Sequence, residues 1–302
     1  VRPAGCEALC RPLWSAGGRV ERASWALSSG CKIAKTLETA IKRRAGTISV
    51  LTGLELFMLS RYNRYDRQLR LLGIENQNKL KRAKVLVVGL GGLGSTVSLF
   101  LAAAGVGRLV LLDRDRVEMS NLNRQILYTP ADIGAFKASV AEKRVREFNP
   151  EVDVVGSILN VQSDEVENIV KDVDVIVDCL DNWEDRFRVN ELAVKHSKPL
   201  VHAAVEGWWG HLTTILPTEG PCLNCIFPQS LTTRRVRVSI LGAVAGALGC
   251  MEALEAIKVI LDSQDTLVGV LLYFDFKSHD HIKIRVKKSV KCPVCKPDSA
   301  SR

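Results

Sequence analysis

The residues able to bind a phosphorylated ligand gather behind three apolar runs. Residues 85–88 are followed by Gly89, Gly91 and Gly94 in a G-x-G-x-x-G spacing, with a further glycine at Gly92. Such glycines allow a tight turn and close approach of phosphate, and a helix starting there offers unpaired N–H groups. The run 109–112 ends at Asp113, placed to accept a hydrogen bond from a ribose hydroxyl. Asp115, Asn121, Asn123, Arg124, Gln125 and then Lys137 follow, and beyond 173–177 the stretch D-C-L-D-N brings Asp181 and Asn182. Strand ends of a parallel sheet converge on one crevice, where cations beside carboxylates suit a phosphorylated ligand with a divalent metal better than hydride transfer. Two plainer readings stand beside this: a purely structural turn at the glycines, and a helix-capping turn at Asp181 and Asn182. The latter is compatible with a ligand role.

A second constellation is cysteinyl. Cys222, Cys225, Cys292 and Cys295 form two C-x-x-C pairs, whose four thiolates fit one structural Zn²⁺ in a closed tetrahedral site. Unligated thiols or disulfides are the alternatives. Cys6, Cys10 and Cys31 carry no spacing that argues for chemistry. Cys179 closes an apolar strand and Cys250 lies in an apolar helical stretch, so both read as buried structural cysteines.

The elements that must position these groups alternate. Strands are expected near 85–88, 109–112, 152–156, 173–179 and 200–205. Helices are expected after the glycine turn, over 132–149, over 163–170 with Ser163 as cap, and over 182–195. A helix over 54–70 precedes them, with a loop after Gly73. Residues 207–216 alternate as an antiparallel strand, a helix follows over 240–261, and 268–276 with 281–286 form a hairpin. The pattern predicts an α/β fold: a Rossmann-like doubly wound sheet, parallel in its first half and extended by antiparallel strands, with a structural zinc site.

Composition narrows the class. Of the net charge of +9 over 302 residues, +6 falls within the first 50, so the remainder is near balance and gives little support to nucleic acid as a partner. Residues 1–53 lack a clear period and read as a poorly ordered or peripheral extension, resembling an organelle-targeting peptide, an unusual leader or sequence upstream of a start at Met58; 54–302 form the body. No run reaches 18 uninterrupted apolar residues and no secretory core is evident, which predicts a cytoplasmic protein without a membrane span.

Residues 61–295 resemble the MoeB/ThiF/HesA adenylyltransferases, which are related to the activating enzymes of ubiquitin-like proteins. The resemblance rests on R-Y-x-R-Q at 64–68, the G-x-G-G-x-G loop, S-N-L-N-R-Q at 120–125, Lys137, D-x-x-D-N at 178–182 and the two C-x-x-C pairs. It implies adenylation of the C-terminal glycine carboxylate of a ubiquitin-like or sulfur-carrier protein ending in Gly-Gly, with ATP consumed, Mg²⁺ required and pyrophosphate released. Asp113 would hold the ribose, Arg124 and Lys137 would face the phosphates with Asn121 and Gln125 assisting, and Asp181 would ligate Mg²⁺. Arg67 would reach the ATP phosphates from the partner subunit of a homodimer; without the resemblance, Arg64 and Arg67 read as solvated helix charges. Arg186 reads as a supporting residue able to pair with Asp181 or Asp185. Arg235 stands about where many relatives carry a second-step cysteine, which argues against a thioester or persulfide step there. Adenylation of another carboxylate, such as that of a modified tRNA base, is the nearest alternative; a nicotinamide-dependent oxidoreductase and a non-enzymatic scaffold are more distant ones.

Overall fold

A computed structural model describes residues 63–227 and 239–295, all within the compact unit Phe57–Arg302. The expected extension, the first part of the helix over 54–70, and Arg235 lie outside the described residues.

A short 3-10 turn, Asn63–Tyr65, leads into α1 (Asp66–Arg82). The helix is interrupted at Gly73, whose φ of 77° breaks the hydrogen-bond ladder, but it resumes where a loop was expected. The alternating half then runs β1 (Lys84–Val88), α2 (Gly92–Ala104), β2 (Arg108–Leu112), α3 (Lys137–Phe148), β3 (Asp153–Ser157), α4 (Glu165–Asp172), β4 (Val175–Asp178), α5 (Trp183–Lys195) and β5 (Leu200–Glu206). There follow β6 (Trp209–Ile215), the one-turn α6 (Leu223–Ile226), α7 (Gly242–Ile260), β7 (Val270–Asp275) and β8 (Asp280–Arg285).

Two boundaries differ from expectation. Residues 130–132 form a separate 3-10 turn and Phe136 is extended, so α3 begins at Lys137 rather than Asp132. Helix α4 begins after Asp164, which makes no side-chain cap, rather than at Ser163.

The eight strands form one sheet in the order β3-β2-β1-β4-β5-β6-β7-β8. Pairing is parallel from β3 through β5 and antiparallel from β5 to β8, as the sequence predicted. Strand order reverses between β1 and β4, which opens a crevice at their carboxyl ends. Alternation along each strand splits the core into two layers. Val85, Val87, Leu109 and Val177 face α2, α3 and α7, while Leu86, Val88, Leu112 and Ile176 face α4, α5 and the cysteine knuckles. α2 and α7 pack closely: a Cβ added at Gly249 would lie 2.9 Å from that of Thr96. Strand β8 is solvent-exposed along its length, with Lys283 and Arg285 on an edge such charges protect from pairing. Among the described residues no helix is long and apolar enough to cross a membrane.

Candidate active site and metal centre

A cleft of about 140 Å³, open to solvent, occupies the crevice at the β1–β4 switch point. Gly89, Gly91 and Gly92 form its floor. Gly89 has φ 87°, and a Cβ at Gly94 would sit 1.9 Å from the Gly89 carbonyl oxygen. These two glycines therefore build the turn, whereas a Cβ at Gly91 would meet only the Gln125 carboxamide, 3.7 Å away. Gly94 lies behind the lining and serves the loop's closure.

Asp113 leaves the end of β2 and is buried, accepting backbone N–H bonds from Leu90 (2.8 Å) and Asp115 (2.8 Å). Burial raises its pKa, against the opposing pull of the Lys137 charge. Lys137 is the first residue of α3, a position where a cation opposes the helix dipole. Its buried ammonium is compensated by Asp115, 3.1 Å away, so Asp115 orders the Lys137 side chain. Arg124 donates to the Ser120 carbonyl (2.9 Å) and to Asn123 Oδ1 (3.0 Å), which brace it at the cleft. Gln125 is buried, and its Oε1 has no protein donor among the described residues. An unmet acceptor lining a cleft fits a ligand that brings hydroxyl or amino donors.

Asp181 and Asn182 line the facing wall. Asp181 is exposed. Asn182 caps α5 by accepting the Asp185 N–H (2.9 Å), so the capping reading holds for that residue. Two sequence expectations are redirected. Asn121 is buried outside the cleft lining and its Oδ1 accepts the Glu118 N–H (3.0 Å), which makes it a turn cap. Arg186 pairs with neither Asp181 nor Asp185; it is buried, donates to the Leu180 carbonyl, and lies 5.2 Å from the Trp183 ring centre. Arg67 is exposed on α1, outside the cleft of its own chain.

Cys179 is buried at the cleft wall and donates to Glu252 (3.4 Å). Burial raises the pKa of both groups well above the ordinary values, so the thiol stays protonated. Cys250 departs from its expected burial and is exposed on α7, because its turn faces away from the sheet.

Behind the Asp181 wall lies a relay that the sequence reading missed, with Asp178 and His202 buried and His211 half-buried. Asp178 meets His202 Nδ1 at 2.7 Å, and His202 Nε2 meets His211 Nε2 at 3.1 Å. Burial lowers the pKa of both imidazoles, His211 further than His202. Burial works against the Asp178 charge too, but the hydrogen bond from His202, the Arg186 charge and the Leu180 backbone N–H bring its pKa below the ordinary value. The neutral arrangement that satisfies all three has His211 Nε2–H donating to His202 Nε2, and His202 Nδ1–H donating to Asp178. These residues are 24 and 33 positions apart in sequence from Asp178, and only the pairing of β4, β5 and β6 joins them.

The four knuckle cysteines come together as predicted, with all four sulfurs within 4.8 Å of one another. Cys222 Sγ lies 4.0 Å from Cys225 Sγ and 3.5 Å from Cys292 Sγ, and Cys225 Sγ lies 3.4 Å from Cys295 Sγ. A tetrahedron with metal–sulfur bonds of about 2.3 Å has edges of about 3.8 Å, so the cluster could hold a metal ion. Backbone N–H groups of Ser289 and Cys295 point at Cys225 (3.3 Å) and Cys292 (3.5 Å). Burial opposes ionisation of Cys292, yet the backbone amides of Cys295 and Val294 and the neighbouring thiols of Cys222 and Cys225 bring its pKa down to about 7.

Known proteins resemble this chain. The ThiF family model matches residues 65–294. The chain is 40% identical over 241 residues to the heterocyst HesA protein of Trichormus variabilis, covering 79% of this chain and 90% of that protein. It is 39% identical over 251 residues to the sulfur carrier protein adenylyltransferase of Thermus thermophilus, covering 80% and 93%. Against the SAMP-activating enzyme E1 of Haloferax volcanii it is 38% identical, covering 77% and 88%. Among solved structures, that of Escherichia coli MccB with ATP superposes with a TM-score of 0.69 at 25% identity, covering 77% of this chain and 73% of that one. The family model spans well over half of the chain and every residue that lines the cleft, and the chain belongs to the ThiF family.

Proposed function

We propose that this protein is an ATP- and Mg²⁺-dependent adenylyltransferase acting on the C-terminal glycine carboxylate of a ubiquitin-like or sulfur-carrier protein ending in Gly-Gly. One observation carries the reading: Asp113, Arg124, Gln125, Lys137 and Asp181 converge on one cleft at the sheet's switch point. The relatives named as sulfur-carrier and SAMP activators support the substrate class.

The carboxylate oxygen attacks the α-phosphorus of ATP, the bond to the bridging oxygen breaks, and pyrophosphate leaves with that oxygen's electron pair. Three tasks follow: holding the sugar, neutralising the phosphates and aligning the attack. Asp113 accepts from the ribose hydroxyls, and the Gln125 Oε1 takes a donor from the nucleotide. Arg124 and Lys137 face the phosphates, Asp115 and the Ser120 carbonyl holding them in place. The exposed carboxylate of Asp181 is chemically suited to a hard cation, and Mg²⁺ held there would screen the triphosphate. Arg67 completes the phosphate site from the second copy of a cytoplasmic homodimer. The four cysteines hold a structural Zn²⁺ away from the chemistry, clamping the C-terminal strands to the loop at Cys222.

Calorimetry with ATP, Mg²⁺ and NAD tests the nucleotide assignment. ATP binds in preference to NAD, and Asp181→Ala removes pyrophosphate exchange by about 10²-fold or more with little change in thermal midpoint. Preference for NAD defeats the assignment.

A further inference from the structure

The first turn of α5 does more than cap a helix. The Asp185 carboxylate is held in a polar cage although its side chain is only 10% exposed. Its Oδ2 accepts from Asn182 Nδ2 (2.9 Å), and its Oδ1 accepts from Gln162 Nε2 (2.8 Å), a residue between β3 and α4. Arg114, directly after the β2 carboxylate Asp113, lies 3.9 Å from Asp185 Oδ2. One residue on, Arg186 grips the Leu180 carbonyl. Asp181 therefore sits between two anchored neighbours: Leu180 is tied by Arg186, and Asn182 by Asp185. Through Gln162 and Arg114 the same carboxylate links the β4 loop to the ends of β2 and β3, across the cleft from Asp181.

We propose that Asp185 is a positioning residue that fixes the Asp181 loop by bridging three strand-end loops, and so sets how tightly the site binds its divalent cation. The inference rests on the reading of Asp181 as the Mg²⁺ carboxylate. A ligand held in place binds a metal more tightly than one that must be ordered on binding, and hydrogen-bonded supports of metal ligands commonly change affinity by about 10–100-fold.

Asp185→Asn keeps size and shape, but whichever way its amide turns, one of the two neighbouring amides then faces a donor with a donor. The full chain is titrated with Mg²⁺ in pyrophosphate exchange and, separately, in calorimetric ATP binding with and without the metal. The expected result is a rise of about tenfold in the Mg²⁺ concentration at half-effect, with metal-free ATP affinity within about twofold of the parent. The double variant Gln162→Glu/Asp185→Asn restores acceptor-to-donor pairing with reversed polarity, and recovers most of the shift. Gln162→Ala, at an exposed position and tolerated by the fold, moves the Mg²⁺ midpoint in the same direction by a smaller factor. An unchanged Mg²⁺ midpoint in Asp185→Asn overturns the proposal, as does a parallel fall of metal-free ATP affinity that the double variant does not repair. Asp181→Ala run alongside separates the two layers of the argument. Loss of the Mg²⁺ response there, with none in Asp185→Asn, overturns the bridge alone. An intact Mg²⁺ response in Asp181→Ala overturns the metal reading on which it rests.

Discussion

Removing the metal from the cysteine knuckles should cost this fold a calculable amount of stability. The pair Cys222 and Cys225 is joined to Cys292 and Cys295 across 70 residues, a span that contains β7, β8 and α7. A metal bridging the two pairs acts as a cross-link, and closing a loop of that length removes about 4 kcal/mol of unfolded-state chain entropy. With roughly 220 structured residues, the unfolding entropy is about 0.5 kcal/mol/K, so the loss lowers the thermal midpoint by about 9 °C. The sulfurs sit against Leu223, Val294 and the α5 side of the core, so the β7–β8 end loosens first. The assay is thermal unfolding by circular dichroism of protein purified without chelator, before and after chelation, beside elemental analysis and a Cys292→Ser variant. The expected results are one zinc per chain, a midpoint drop of that order in both perturbed forms, and protection lost in the C-terminal strands by hydrogen exchange. A metal-free preparation with the same midpoint, within about 2 °C, refutes the reasoning.

Mixing inactive Arg67→Ala with inactive Asp181→Ala should restore part of the exchange activity, because a heterodimer would contain one intact site; a fully active monomer defeats the shared-site arrangement. Folding stability should fall between pH 7.5 and 5.5, since unfolded imidazoles take up protons near pH 6.5 while His202 and His211, whose pKa values burial lowers, do not; each such proton is worth about 1.4 kcal/mol per pH unit. His211→Gln should lose less over this range in denaturant titrations, and an equal loss contradicts the neutral relay. The buried Glu252, whose raised pKa acts with the opposite sign above about pH 4.5, is common to both proteins and cancels in the difference.

The glycine turn, the strand-end carboxylates and the paired cysteines were legible because each is local: a motif a few residues long next to an apolar run. The parallel half of the sheet followed from the alternation of elements, and its antiparallel extension from the two-residue period of 207–216 and the final hairpin. What escaped the reading depends on distant pairing or on which way a side chain turns. The Asp178–His202–His211 relay exists only once β5 lies between β4 and β6. Asp185 stands three residues after a capping Asn, which signals a cap, but its bond to Gln162 needs the loop after β3 to reach the start of α5 past the intervening β2 and β1. Cys250 was misplaced because α7 is apolar around most of its circumference, leaving periodicity little power to tell its faces apart. Asn121 belongs to a motif of which Arg124 and Gln125 reach the cleft, yet its carboxamide closes a local turn.

The most direct test of adenylation is exchange of labelled pyrophosphate into ATP in the presence of a candidate carrier protein ending in Gly-Gly. The full-length, zinc-loaded protein should catalyse exchange only with Mg²⁺ and a carrier whose terminal glycine carboxylate is free. A carrier with that carboxylate amidated should support none, because the nucleophile is gone. Exchange that proceeds equally with the amidated carrier, or none with any Gly-Gly carrier from a folded enzyme that binds ATP, would contradict activation of a carrier's C-terminus.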